Sequence, residues 1–157
     1  RSFLDDHPPQ EVPLRDELEF IDRYLALEQL RFQDRLTVRV SADPGTLDAL
    51  VPNLVLQPLV ENAIKHGISR KAASGILDVD ATSSNGTLTL RVRDDGPGPN
   101  GASGNGAGGN GAPGIGLRNI RARLEHLYGS DQGLTLSDAP GGGALATVTL
   151  PFRTTPR

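Results

Sequence analysis

The sequence predicts an α+β fold: a two-layer α/β sandwich with one mixed, mostly antiparallel sheet and its helices on one face. Three observations predict it. Three stretches space their apolar residues like helices, with charges between them. Five shorter stretches alternate like strands. Strands and helices are interspersed along the chain, and two of the strands are separated by a short polar turn that marks a hairpin.

Residues 1–13 are polar and proline-rich and read as a loose lead-in. Leu14, Leu18, Ile21 and Leu25 recur at four, three and four residues, predicting a helix from Leu14 to about Phe32. LTVRV (36–40) reads as a strand, and ADPGTLDAL as a turn with a short helix. VPNLVLQPLVENAIKHG (51–67) reads as a second helical region that Gly67 ends, with Pro58 starting or kinking it. ILDVDAT (76–82) and GTLTLRVRDD (86–95) read as strands joined through Ser-Ser-Asn-Gly. GLRNIRARLEHLYG (116–129) is helical, with Leu117, Ile120, Leu124 and Leu127 as its apolar stripe. GLTLS (133–137) and GALATVTLPF (143–152) close the domain as strands, and 153–157 form a tail.

Composition narrows the function. The 157 residues carry 16 Lys and Arg against 19 Asp and Glu, a net charge of −3 without a basic block, which argues against nucleic acid as the main partner. No apolar run approaches the ~20 residues that cross a bilayer. With no cysteine, a disulfide scaffold, a thiolate nucleophile and a cysteine zinc site are excluded. Methionine is also absent, so the chain reads as a fragment or processed product.

Ten of the 19 glycines fall between Gly96 and Gly116. The segment 99–113 (PNGASGNGAGGNGAP) has no apolar side chain larger than alanine, so burial cannot offset its ordering entropy and it is expected to be mobile. The chain after it is too short for a separate core, which favours an excursion within one domain over a linker.

Three places carry chemistry. Leu88, Leu90, Val92 and Asp94 share one strand face, so a carboxylate stands where the core opens towards the loop. A desolvated carboxylate needs a donor, and the exocyclic amine of an adenine is one. Gly96 and Gly98 follow in DDGPG and let a flat base approach the backbone. The alternative is a hairpin-end aspartate with turn glycines. In the helix of 51–67, Asn62 lies three and four residues from Lys65 and His66, on one face, with Glu61 beside it. An amide oxygen next to an ammonium suits a magnesium–phosphate group; the alternative is a solvated face with a Glu61–Lys65 pair. Gly114-Ile115-Gly116-Leu117 opens the last helix, whose free N–H groups suit an anion, with Arg118 and Arg121 nearby. The alternative there is a loop-to-helix junction needing unusual dihedral angles. No GxxxxGK[ST] is present, and no βαβ context supports a dinucleotide fingerprint.

In this order and spacing, the three places resemble the nucleotide-binding domain shared by sensor histidine kinases, gyrase, Hsp90 and MutL. VPLRDELEFIDRYLALEQLRFQDRL, PNLVLQPLVENAIKHG and GIGLRNIRARLEHLYG resemble the LytS-type sensor histidine kinases in particular, over roughly residues 12–152. The resemblance implies a five-stranded mixed sheet on three helices, the Bergerat-type ATP-binding fold, as one catalytic domain over 14–152 with 99–113 as the ATP lid. It implies ATP and Mg²⁺ as ligands. Asp94 matches the adenine-binding aspartate and Asn62 the magnesium-binding asparagine. Gly96, Gly98, Gly114 and Gly116 match the glycines around base and phosphates, with Leu117 beside them. Lys65 and His66 would face phosphate, and Glu61 would polarise the incoming nucleophile.

The implied activity is transfer of the γ-phosphoryl of Mg·ATP to a histidine. The family's acceptor lies in a motif like NPHFLFN, which this sequence does not contain. The implied partners are the dimerisation and phospho-acceptor helices, a response regulator and a second copy of the full protein. The implied setting is a cytoplasmic domain of a membrane-bound bacterial sensor, itself without membrane contact. Two departures stand out. Gly143 is followed by Ala144 where the family often has a hydroxyl residue, with Thr147 the nearest replacement. The loop also lacks large apolar anchors. The competing functions are a clamp-type ATPase, in which Pro58 would occupy the position of the water-activating glutamate, and a degenerate docking module.

Overall fold

The computed structural model describes residues 10–70, 74–96 and 115–155. The segment 99–113 and the glycines Gly98 and Gly114 lie outside the described residues.

The chain runs β1 (Glu11–Pro13), α1 (Leu14–Phe32), β2 (Leu36–Ala42), β3 (Leu50–Pro52), α2 (Leu56–His66), β4 (Gly75–Ser84), β5 (Thr87–Asp94), α3 (Ile115–Tyr128), β6 (Gly133–Asp138) and β7 (Ala144–Pro151). Single turns of 3₁₀ helix follow α1, β2 and α2. The main sheet has five strands in the order β2-β4-β5-β7-β6. Only β2 and β4 run parallel; the other neighbours are antiparallel. The expected mixed sheet covered by three helices is therefore present, and among the described residues no helix is long and apolar enough to cross a membrane.

Strand alternation builds the core. Leu77, Val79 and Ala81 of β4, Leu88, Leu90 and Val92 of β5, and Ala146, Val148 and Leu150 of β7 are buried, while the residues between them are not. The opposite face carries charge, as in the pairs Arg91–Asp80 at 3.3 Å and Arg39–Asp78 at 3.8 Å. Ile21 and Leu25 of α1, Leu59 and Val60 of α2, and Ile120 and Leu124 of α3 cover the apolar face. The β4–β5 turn places Asn85 and Gly86 at φ 53° and 79°, the left-handed pair that a tight hairpin needs.

Three expectations change. Glu11–Pro13 are not loose: they form β1, antiparallel to β3 with Glu11 opposite Pro52. Val51 and Pro52, expected in the second helical region, are strand, and α2 starts at Leu56. The cause is local, because Leu54 takes a left-handed φ of 61° that no helix continues through. Pro58 then falls in the first turn, where its missing N–H costs nothing. At the other end of the chain, Arg153 is also tied down. Its carbonyl accepts from the Leu50 N–H at 2.7 Å, and its guanidinium meets Glu11 at 3.2 Å.

Candidate functional site

Asp94 ends the central strand β5 on the core face and is only 3% exposed. One carboxylate oxygen, Oδ1, accepts the Gly96 N–H at 2.9 Å. The adjacent Asp95 braces the sheet instead, because its Oδ1 accepts the Ile76 N–H at 2.8 Å and fixes the start of β4.

Three glycines allow this packing. Gly67, at the C-terminus of α2, lies so close that a Cβ there would overlap Cγ and Oδ1 of Asp94 and come within 2.7 Å of the Ala63 carbonyl. A Cβ on Gly96 would fall 2.5 Å from the Gly67 carbonyl oxygen and 2.6 Å from its Cα. Gly143, at φ 99°, backs onto the Asp94 carbonyl where a side chain would overlap it. The end of α2, the end of β5 and the entry to β7 therefore meet around one buried carboxylate. Sequence reasoning found Asp94 and Gly96. It took Gly67 only as a helix terminator and Gly143 only as a strand entry.

Register settles the hydroxyl expectation. Asp94 stands opposite Ala144 and Val92 opposite Ala146, whereas Thr147 stands opposite Arg91 on the other sheet face. Thr147 is therefore not the replacement hydroxyl beside Asp94.

The exposed side of α2 carries the other residues. Asn62 is half-buried and makes no side-chain hydrogen bond to a described residue; Lys65 and His66 are exposed three and four positions on. The Glu61–Lys65 pair of the alternative reading is not among the contacts of the described residues; Glu61 instead accepts from Gln57 at 2.8 Å. The charge of Glu61 is also felt on α1. The Tyr24 hydroxyl there has its pKa raised, first by burial and then by the negative charges of Glu28 and Glu61. The structure thus keeps Asn62, Lys65 and His66 within one turn of α2, with Glu61 engaged by Gln57.

On α3 the side chain of Leu117 is 5% exposed and belongs to the core. Any contribution it makes to a ligand is through its backbone, not its side chain. Gly116 lies in the first turn of α3, where N–H groups lack intrahelical partners, and that turn holds no acidic residue. Arg118 and Arg121 are exposed on the same helix.

Sequence reasoning also missed Glu17. It is 3% exposed within α1, yet its Oε2 accepts the Leu54 N–H at 2.7 Å and its Oε1 the Leu56 N–H at 3.2 Å. Burial raises its pKa above the ordinary 4.5, against the lowering effect of those N–H groups and of Arg123. A carboxyl with a raised folded pKa contributes stability below its unfolded pKa and loses it as pH rises through the folded value. Denaturant unfolding at pH 5 and pH 7 should therefore show the wild type gaining on Glu17→Gln at the lower pH. A stability difference that is flat with pH contradicts this.

Comparison with known proteins agrees with this arrangement. The family model described as "Histidine kinase-, DNA gyrase B-, and HSP90-like ATPase" matches residues 47–154, and a histidine kinase model matches residues 1–36. The sensor protein LytS of Oceanobacillus iheyensis is 34% identical over 149 residues, covering 90% of this chain and 25% of that protein. The sensor histidine kinase BtsS of Escherichia coli K12 is 32% identical over 146 residues, covering 93% and 25%. The chain thus spans about a quarter of the length of these relatives. Among solved structures, the histidine kinase domain of the Erythrobacter litoralis EL346 blue-light activated kinase superposes with a TM-score of 0.63 at 23% identity, covering 95% of this chain and 67% of that one. The mycobacterial sensor histidine kinase MprB gives 0.59 at 21% identity, covering 94% and 98%. At such identities the structures speak for the fold, and the sequence matches carry the kinship: the chain belongs to the histidine kinase, DNA gyrase B and HSP90-like ATPase family, on its LytS-like sensor histidine kinase branch.

Proposed function

We propose that this chain is the ATP-binding catalytic domain of a two-component sensor histidine kinase, transferring the γ-phosphoryl of Mg·ATP to a histidine outside residues 1–157. The observation that carries this reading is the buried Asp94 carboxylate, wedged between glycines at a strand end. Such a group is costly to desolvate unless it receives donors. Its Oδ1 accepts the Gly96 N–H, and the exocyclic amine of a purine is a donor of the kind such a carboxylate takes.

The donor set on α2 fits Mg²⁺ arriving with phosphate. Asn62 supplies one hard oxygen, and Mg²⁺ typically takes the rest of its shell from phosphate and water. When bound, the ion would neutralise phosphate charge. Lys65 would add a point charge on the same flank, and His66 a ring nitrogen one turn from Asn62. Gly96, Gly98, Gly114 and Gly116 would admit the base and phosphates close to backbone, and the N–H groups at the start of α3 would meet negative charge. Phosphoryl transfer asks mainly for positioning and charge stabilisation, which these groups supply. Glu61, exposed beside Asn62 on α2, would polarise the incoming histidine. Pro58 occupies the position at which a clamp-type ATPase would need a water-activating glutamate, and it has no such group.

The whole protein is read as a membrane-bound homodimeric sensor. The acceptor helices would dock on this domain, and a response regulator would take the phosphoryl group onward. Asn62→Ala tests the assignment. In calorimetric titration, Mg·ATP should bind about tenfold more weakly, or ~1.4 kcal/mol, with adenosine little changed. Equal loss for both ligands would make Asn62 structural.

A further inference from the structure

We propose that Glu17 and Arg123 are positioning residues for Mg·ATP, acting through the first turn of α2. The inference rests on reading α2 as the helix that carries the metal-binding amide.

The residues ahead of α2 make an unusual junction. Leu54 holds φ 61°, and Val55, which precedes the helix, has no side-chain cap to offer. Serine, threonine, aspartate or asparagine at that position would cap the helix locally. Here the cap comes from another helix. The Glu17 carboxylate, 3% exposed, takes the Leu54 and Leu56 N–H groups and sits against the positive end of the α2 dipole. Arg123 closes the other side from α3, its guanidinium donating to the Asn53 carbonyl. The Asn53 N–H donates to the Gln10 carbonyl at 2.9 Å. One short turn is thus held by α1, by α3 and by the strand entering α1.

Geometry makes this turn matter at Asn62. Asn62 follows Leu56 by six residues, about 9 Å of helix. The far end of α2 cannot adjust, because Gly67 already abuts Asp94 and Gly96 without room for a methyl group. The position and rotation of the Asn62 amide are therefore set by the two ends of α2, one on the adenine-binding carboxylate and one on the Glu17–Arg123 clamp. Mg²⁺ demands near-ideal octahedral geometry, so a small rotation of that amide is felt in metal binding before it is felt in packing. Arg123 also sits on the helix that begins at Ile115, so α3 and α1 bear on the metal-binding helix at the same point.

The test compares wild type, Glu17→Gln, Arg123→Gln and the double variant by calorimetric titration with Mg·ATP and with adenosine, alongside thermal unfolding. Each single variant should weaken Mg·ATP about tenfold, as loss of an outer-shell partner does. Adenosine affinity should stay within about twofold, and the double variant should be far from additive because both side chains hold one turn. Folded variants with unchanged Mg·ATP affinity overturn the proposal; a clamp that only adds stability gives that result. Equal weakening of both ligands also overturns it, since the adenine end would then have moved. Should Glu17→Gln fail to unfold cooperatively, Arg123→Gln decides alone, because Arg123 is only partly buried. A wild-type chain that binds neither ligand overturns the nucleotide reading and this proposal together; wild-type binding with unaffected variants overturns this proposal alone.

Discussion

Gly67→Ala should weaken ATP binding about a hundredfold while leaving a folded domain. The added methyl group has no space: it would overlap the buried, hydrogen-bonded Asp94 carboxylate and lie 2.7 Å from the backbone carbonyl of Ala63. Either α2 retreats or Asp94 is pushed off its strand-end position. Overpacking of this kind costs about 1–3 kcal/mol of stability, which for a domain of this size is ~2–4 °C of Tm per kcal/mol. Binding should fall further, by about a hundredfold or ~2.7 kcal/mol, because the displaced group is the one proposed to select the base. Far-UV circular dichroism and a calorimetric titration on the same sample separate the two effects. Wild-type affinity in the variant would mean that the contact between Gly67 and Asp94 does not shape the site.

The second large effect is expected for Asp94→Asn. The substitution keeps shape and volume but exchanges a charged acceptor for an amide. One face of that amide would turn an NH₂ towards the Gly96 N–H or towards the incoming base amine, donor against donor. A hydrogen bond to a charged partner contributes about 1.5–3 kcal/mol, so ATP affinity should fall roughly ten- to a hundredfold. Folding stability should hold or improve, since a carboxylate that is 3% exposed is costly to bury and an amide is less so. Unchanged ATP affinity in the folded variant removes the adenine assignment.

Asp94 could be read from the sequence because a strand has a strict period of two. Three leucine and valine positions on the face fix where the fourth residue points, and the structure buries Asp94 as that period requires. The helices followed their apolar spacing for the same reason: Leu14, Ile21 and Leu25 are buried where their positions recur. What escaped was long-range. Gly67 meets residues 94 and 96, and Gly143 meets Asp94; nothing local distinguishes such a glycine from a helix end or a turn. Glu17 lies on the buried side of α1 between Leu14 and Ile21, where the apolar spacing alone gives a charged residue no role. Only the orphan N–H groups at the start of a helix some forty residues later explain its burial. The strands β1 and β3 have three residues each, too short for alternation to register. The alternative of a Glu61–Lys65 pair is not met, because spacing permits an ion pair without requiring one and Gln57 donates to Glu61 instead.

A competition between two nucleotides probes the site most directly. The chain should be titrated by calorimetry with Mg·ATP and with Mg·GTP, which share their phosphates and metal and differ at the purine edge facing Asp94. Guanine presents a carbonyl where adenine presents its amine, so a buried carboxylate should repel it. The expected result is ATP binding that GTP does not match within about a hundredfold, a gap of ~2.7 kcal/mol. Equal affinity for the two, or none for ATP, would contradict Asp94 as the group that reads the base.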